Sequence, residues 1–306
     1  MKKTDIVKNK VKFLIIPILI ILAGIVFFFV HNGFNFDIEF MGGIRMQVDM
    51  AQEFNNKEVA QTIKDKTGVD VVVQKTGGNT QAIIKTPPLE EAKKTEIYSA
   101  LKEKYNLQAD SPMSTSSATA SFGHQVQQKT LLYTLIAILL ILVYIAIRFE
   151  WRSAIMAVIA LAINILVMFS VYSIAYVPLN TTFIAAMLTV VGYSINNTIV
   201  VFDRIRENMK TAKGRSVLDV TNDSIWQSMG RTINTTITTL ITILLLYIIG
   251  VESIKQFAFP LIVGVLAGAY SSIFIASPFW ATWKESDRLA KIEEARLNAA
   301  SKKKKK

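Results

Sequence analysis

Six stretches of this chain contain no Asp, Glu, Lys or Arg, and each is close to the roughly 20 apolar residues that a helix needs to cross a hydrocarbon core about 30 Å thick. They run over residues 13–30, 131–147, 154–177, 182–202, 232–249 and 257–283. Blocks of this kind, in a chain of 306 residues that is 51% apolar, exclude a disordered or collagen-like polymer and argue against a soluble domain. The spacing predicts an α-helical polytopic membrane protein with six transmembrane helices. The first block follows a lysine-rich start and resembles a signal peptide, but no small-x-small cleavage site follows it, so an uncleaved anchor is expected.

Charge gives the orientation. The N-terminal tail (1–12) holds five Lys against Asp5, residues 203–231 hold six bases against four acids, and the tail 284–306 holds nine against four. The short connections at 177–181 and 250–255 carry no net charge. Lys and Arg concentrate on the cytoplasmic side of short loops, so both termini are expected there, in a bacterial plasma membrane. The formal charge of +11 is thereby accounted for by membrane boundaries and attraction to anionic lipid rather than by nucleic acid. The five lysines that end the chain read as a solvated tail near the inner leaflet.

Residues 35–129 are long enough to fold alone. Ile44, Met46 and Val48 alternate as in a half-buried strand, 57–66 reads as a short helix, and 69–75 and 80–86 form a hairpin around Thr76-Gly77-Gly78-Asn79. A charged amphipathic helix over 89–105 and a weak strand between 113 and 119 complete a β-α-β-β-α-β order, the ferredoxin-like pattern. A small extracytoplasmic α+β domain between helices 1 and 2 is the expectation, leaving through a flexible Ser/Thr-rich linker at 111–121. Residues 204–229 read as an amphipathic helix broken at Gly214 and lying along the cytoplasmic interface.

The absence of cysteine removes disulfides, thiolate metal sites and thiol catalysis, and two isolated histidines, His31 and His124, offer little for a metal. No nucleotide motif or catalytic triad is present, so no enzyme activity, cofactor or metal is expected. Polar residues placed in lipid are expensive and therefore informative. Helix 4 carries Thr189, Tyr193, Asn196 and Asn197; helix 5 begins with Arg231 and continues Asn234, Thr235, Thr238, Thr239, Thr242; Asn164 lies in helix 3. Facing stripes on helices 4 and 5 would make a hydrogen-bonded seam that Asn164 could join, and Arg231 beside the Asn pair is more than packing requires. The plainer reading of the threonines is helix-to-helix glue. Gly192, Gly264, Gly268, Ser271 and Ser272 are small residues suited to close helix packing.

Several runs resemble the SecF family, the membrane subunit of the SecD–SecF protein-export complex in the resistance-nodulation-division (RND) superfamily. They are Gly192-Tyr193-Ser194-Ile195-Asn196-Asn197-Thr198-Ile199-Val200-Val201-Phe202-Asp203-Arg204-Ile205-Arg206-Glu207-Asn208, Arg148-Phe149-Glu150-Trp151-Arg152, Arg231-Thr232-Ile233-Asn234-Thr235, Gly42-Gly43, and the segment from Ala269 to Pro278. Asp203, Arg204, Arg206 and Glu207 form the signature at the cytoplasmic end of helix 4. The resemblance implies a six-helix RND-type half bundle that pairs with a SecD-like subunit, works beside the SecYEG channel and a YidC-type insertase, and uses an ion-motive force on a translocating preprotein.

The chain departs from that family where ions would pass. The family's helix-4 aspartate corresponds to Asn197, its helix-3 His-Asp pair to Ile163-Asn164, and the glutamate before helix 2 to Gln125. An amide keeps the shape of a carboxylic acid but cannot exchange a proton. Three readings follow: the coupling carboxylate belongs to the SecD-like partner, another cation is used with amide oxygens as ligands, or the subunit is an ion-uncoupled scaffold. A small-molecule exporter half-subunit of the RND superfamily is the competing function, and it would call for much larger external domains.

Overall fold

A computed structural model describes residues 4–76, 79–118, 120–212 and 214–304. Gly77 and Gly78 of the expected hairpin turn, Thr119, the side chain of Gln125 and the last two lysines lie outside the described residues. The chain divides into two compact units, one of residues 35–132 with the loop Pro178–Thr181, the other of the remaining helices.

The first unit is built on a four-stranded antiparallel sheet. Helix α2 (Ile38–Met41) leads into β1 (Gly43–Asp49), α3 (Asn56–Thr67), β2 (Val72–Thr76), β3 (Gln81–Thr86), α4 (Glu91–Tyr105) and β4 (Ser114–Ala118), with sheet order β2-β3-β1-β4. Alternation in β1 sends Ile44, Met46 and Val48 into a core closed by Val59 and Ile63 of α3 and Ile97, Tyr98 and Leu101 of α4. Asn55 Oδ1 caps α3 by accepting from Lys57 N–H at 2.9 Å, and Gly68, at φ +70°, ends it. Gly43 is required twice: its φ is +127°, and a Cβ there would meet the Thr86 carbonyl oxygen at 2.1 Å. The weak strand expected between 113 and 119 is β4, paired with β1, so only part of the Ser/Thr-rich stretch 111–121 is left for the flexible linker also expected there, and a helix begins at Ala120.

The base of this sheet carries a buried charge cluster. Asp37, 1% exposed, accepts from Ile38 N–H at 2.8 Å and lies 3.4 Å from Arg45 Nη1 and 3.5 Å from Lys85 Nζ. Lys85 also donates to Asn35 Oδ1 at 3.3 Å. Burial pushes the Lys85 ammonium below its ordinary value, and the Asp37 carboxylate opposes that shift.

The second unit is helical, formed by α1 (Lys10–Val30), α5 (Ala120–Arg148) from Tyr133 on, α6 (Trp151–Ala175), α7 (Thr181–Thr211) from Thr182 on, α8 (Val217–Ile249), α9 (Glu252–Ser271) and α10 (Ser277–Lys304). Among the described residues five helices are long and apolar enough to cross a membrane, and Leu132–Arg148, within α5, is a shorter apolar stretch where a sixth span was expected. α6 packs on α1 and α9, and α8 on α9 and α10.

One expectation is corrected. Residues 204–229 are not a separate interfacial helix: 204–211 end α7 and 217–229 begin α8, which runs unbroken to Ile249. Gly214 at φ +79° lies between them, and Ser216 Oγ caps α8 by accepting from Leu218 N–H at 3.1 Å. The polar faces there read as an interfacial helix because both ends belong to helices that pass from apolar to polar surroundings. The tail from residue 284 is helical to Lys304, continuing α10. A π-helical turn, Ser272–Ala276, joins α9 to α10. Pro278 has no N–H to give to the carbonyl four residues earlier, and a widened turn just before it absorbs the defect.

Candidate functional site

The polar residues of the helical unit gather in two places. The first is buried where α6, α7 and the end of α9 meet. Asn164 of α6, 2% exposed, lies 2.7 Å from Ser194 Oγ of α7 and, oriented with Nδ2 toward the backbone, donates to Ala267 O at 3.0 Å and Ala160 O at 3.3 Å. In that orientation its Oδ1 accepts from the serine hydroxyls, which satisfies the whole amide. Ser272 Oγ and Thr198 Oγ1 are 2.8 Å apart, and Ser277 Oγ donates to Ser272 O at 3.2 Å across the π turn. Close approach here depends on small residues. A Cβ on Gly264 would fall 2.3 Å from Val190 Cγ2, and one on Gly268 would fall 3.0 Å from Ser194 Cβ.

Asn197 belongs to the buried side of α7, 2% exposed, and its Nδ2 has no hydrogen-bond partner among the described residues.

The second place is a cleft of about 800 Å³ lined by Arg148, Asp203, Arg204, Arg206, Glu207, Lys210, Gln227 and Arg231, among others. Its walls are the end of α5, the last turns of α7 and the first half of α8. Arg204 Nε donates to Gln227 Oε1 at 2.6 Å and its Nη1 pairs with Glu207 at 2.6 Å, while Arg148 lies 3.5 Å from Asp203. Asn208 Nδ2 donates to both Gln227 Oε1 and Ser224 Oγ. Bases outnumber acids in this lining, leaving a positive surface.

The expected seam between helices 4 and 5 does not form. Residues 3.6 per turn apart share a face, so Asn196 and Asn197 diverge by about 100°. Asn196 is exposed, while the buried face of α7 is Val190, Ser194, Asn197, Thr198 and Val201. On α8, Arg231, Asn234, Thr235, Thr238 and Thr242 are exposed, and the threonine hydroxyls turn back onto their own helix: Thr235 Oγ1 donates to Arg231 O at 3.0 Å. Arg231 therefore joins Asp203, Arg204, Arg206 and Glu207 in the charged cleft rather than the Asn pair. Gly192 was expected at a close helix contact, yet a Cβ there would meet nothing within 4 Å, because it lies on the exposed side of α7. Sequence reasoning missed Ser194 and Thr198 as members of the buried cluster; their i, i+4 spacing with Val190 was the available signal.

A family model described as the protein export membrane protein SecD/SecF, C-terminal, matches residues 98–286. The protein translocase subunit SecF of Alicyclobacillus acidocaldarius is 36% identical over 291 residues, which is 92% of each chain. The chain belongs to the SecF family. The SecDF subunit of Bacillus subtilis is 34% identical, matching 92% of this chain and 38% of that longer one. Among solved structures, SecDF of Thermus thermophilus, described as a translocon-associated membrane protein, superposes with a TM-score of 0.81 at 27% identity, over 92% of this chain and 39% of its own. A second SecDF structure, in a super-membrane-facing form, gives 0.70 over 96% of this chain. The SecF-family likeness therefore covers both compact units.

Proposed function

We propose that this chain is the SecF-type half of a SecD–SecF pair that assists protein export through the Sec translocon. Sec protein export is the role carried by the names of its relatives, and a SecD-like partner follows from the longer SecDF chains in which the matched portion is about two-fifths of the length. The observation that supports pairing most directly is α8: Arg231, Asn234, Thr235, Thr238 and Thr242 stand exposed on a helix of membrane-spanning length. An amide and a row of hydroxyls facing lipid tails are costly, and a second bundle with polar groups of its own removes that cost.

In this reading the helical unit is a six-helix half bundle in a bacterial plasma membrane, with both termini cytoplasmic, and the β-α-β-β-α-β unit is a ferredoxin-like domain on the outer face that acts on the emerging preprotein. The SecYEG channel, a YidC-type insertase and anionic lipid are its neighbours. No Asp or Glu stands inside the charge-free blocks of the sequence, so the proton-exchanging carboxylate is assigned to the partner, with Arg231 opposite it and Asn197 and Asn164 as neutral support. The test is preprotein export and ion flux by the reconstituted complex. Arg231→Ala is expected to lower both at least tenfold and Asn197→Ala by less than threefold. Unchanged export and flux in both variants would make these residues structural only.

A further inference from the structure

The charged cleft holds more positive charge than the chain itself neutralises. Of the two acids that line it, Asp203 lies 3.5 Å from Arg148 and Glu207 pairs with Arg204 at 2.6 Å. Arg204 is occupied further: its Nε donates to Gln227 Oε1 at 2.6 Å, an oxygen that also accepts from Asn208 Nδ2 at 2.9 Å. Arg206, Lys210 and Arg231 line the same space with no acidic partner among the described residues. Arg206 gives one N–H to the Arg148 carbonyl at 3.4 Å and keeps the other donors of its guanidinium. Arg206 and Lys210 are four residues apart on α7, so they stand one above the other on one face. Two like charges so placed repel, and an anion between them turns the repulsion into attraction.

The cleft also has a definite depth. The charge-free block 131–147 ends at Arg148, the block 182–202 ends at Asp203, and the block 232–249 follows Arg231. Helices α5, α7 and α8 therefore all change from apolar to charged at this one cavity of about 800 Å³, which sets it where a bilayer's acyl chains give way to headgroups. Apolar side chains lead away from it. Ile147 is 82% exposed beside Arg148, and Ile233 and Ile237 are exposed beyond Arg231. A soluble anion would use the basic walls and leave that apolar border unused; a phospholipid uses both.

We propose that this cleft binds the phosphate of an anionic phospholipid, gripped by Arg206 and Lys210, with the acyl chains against the apolar surface that starts at Ile147. Arg231 is left to the partner's carboxylate. The proposal rests on the functional reading only in requiring that these helices span a bilayer. Guanidinium and ammonium donors pair strongly with phosphate oxygens, and basic pockets between membrane helices hold lipid headgroups in this way. Cations that merely mark a membrane boundary predict attraction in proportion to total charge, wherever on the chain that charge sits; a built site predicts dependence on these two side chains.

The experiment uses the full chain, alone and with its SecD-like partner, in neutral-detergent micelles, and measures bound lipid by native mass spectrometry against added phosphatidylglycerol or phosphatidylcholine. Wild type is expected to hold phosphatidylglycerol at least tenfold more tightly than phosphatidylcholine in both preparations, and glycerol phosphate at the same concentration is expected to displace none of it. Arg206→Gln/Lys210→Gln is expected to lower that preference at least fivefold with phosphatidylcholine binding unchanged. The charge-keeping Arg206→Lys/Lys210→Arg, and the control Lys303→Gln/Lys304→Gln, which removes the same charge from the tail, are expected to stay within twofold of wild type. Equal binding of the two lipids by wild type, an equal loss in the tail control, an unchanged preference in Arg206→Gln/Lys210→Gln, displacement by glycerol phosphate, or a preference that vanishes once the partner is bound would each overturn the proposal. A chain that binds no partner yet keeps the preference would overturn the functional reading and leave the proposal standing.

Discussion

Gly264→Ala offers the sharpest test of how the buried cluster is assembled. The new methyl would lie 2.3 Å from Val190 Cγ2, 2.6 Å from Val190 Cγ1 and 3.0 Å from Met168 Sδ, where ordinary carbon contact is about 3.5–4.0 Å. Val190 is 1% exposed and Met168 0%, and a β-branched residue in a helix has essentially one χ1 rotamer, so neither neighbour has a free direction to move. The alternative is for α9 to retreat by about 1 Å, which stretches the Asn164 to Ala267 hydrogen bond and the Ser272 to Thr198 pair. Overpacking of this kind costs about 1–3 kcal/mol, set against the ~1 kcal/mol by which Ala outdoes Gly in an unobstructed helix. A net loss of about 1–2 kcal/mol is expected. Val190→Ala alone should lose about 1–2 kcal/mol by leaving a void. Combined, the methyl added on α9 fills the space vacated on α7, so the double variant should lie within about 1 kcal/mol of wild type, a coupling of about 2 kcal/mol. Equilibrium unfolding in mixed micelles measures all four proteins. Additive losses in the double variant, or a neutral Gly264→Ala, would refute the packing described. Gly192→Ala is the control: with nothing within 4 Å, it should be neutral or stabilising by up to about 1 kcal/mol.

Asn164→Leu should cost about 1–3 kcal/mol by stranding the Ala160 and Ala267 carbonyls and the Ser194 hydroxyl, read by the same equilibrium unfolding. Asp37→Ala leaves Lys85 buried without its anion and should destabilise the α+β unit by about 3–5 kcal/mol, read as faster proteolysis of that unit in the full chain. Because burial lowers the Lys85 value in the folded state, the unfolded chain binds more protons between that lowered value and about 10.5. Stability of the unit is therefore expected to rise with pH through that alkaline window, and Lys85→Met should flatten the rise.

The sequence carried the membrane class, because charge-free length is a property of single segments, and it carried the strand and helix order of the α+β unit, because burial alternates at period two in β1 and at helical period in α3 and α4. It did not carry which polar face of α7 turns inward. Adjacent asparagines point in directions about 100° apart, and only the packed neighbours, Gly268 against Ser194 and Asn164 beside it, decide between them. The fate of residues 204–229 was hidden for a related reason: an amphipathic pattern looks alike at the end of a long helix and along an interface, and the five residues around Gly214 that separate α7 from α8 are too few to announce two helices. Glu39 Oε2 accepts from the Thr181 hydroxyl at 2.6 Å across 142 residues of sequence, and no local pattern points to that contact.

The central claim, that this SecF-family chain is one half of an ion-driven pair whose coupling acid lies in the partner, is tested most directly by replacing the membrane-embedded carboxylate of the co-purified SecD-like partner with its amide. Ion flux and gradient-dependent preprotein export are then measured with this chain left unchanged. The account predicts that both fall to the level of empty vesicles while the complex stays assembled. Flux that persists without that carboxylate, or a chain that purifies as a homo-oligomer and conducts ions alone, would contradict it.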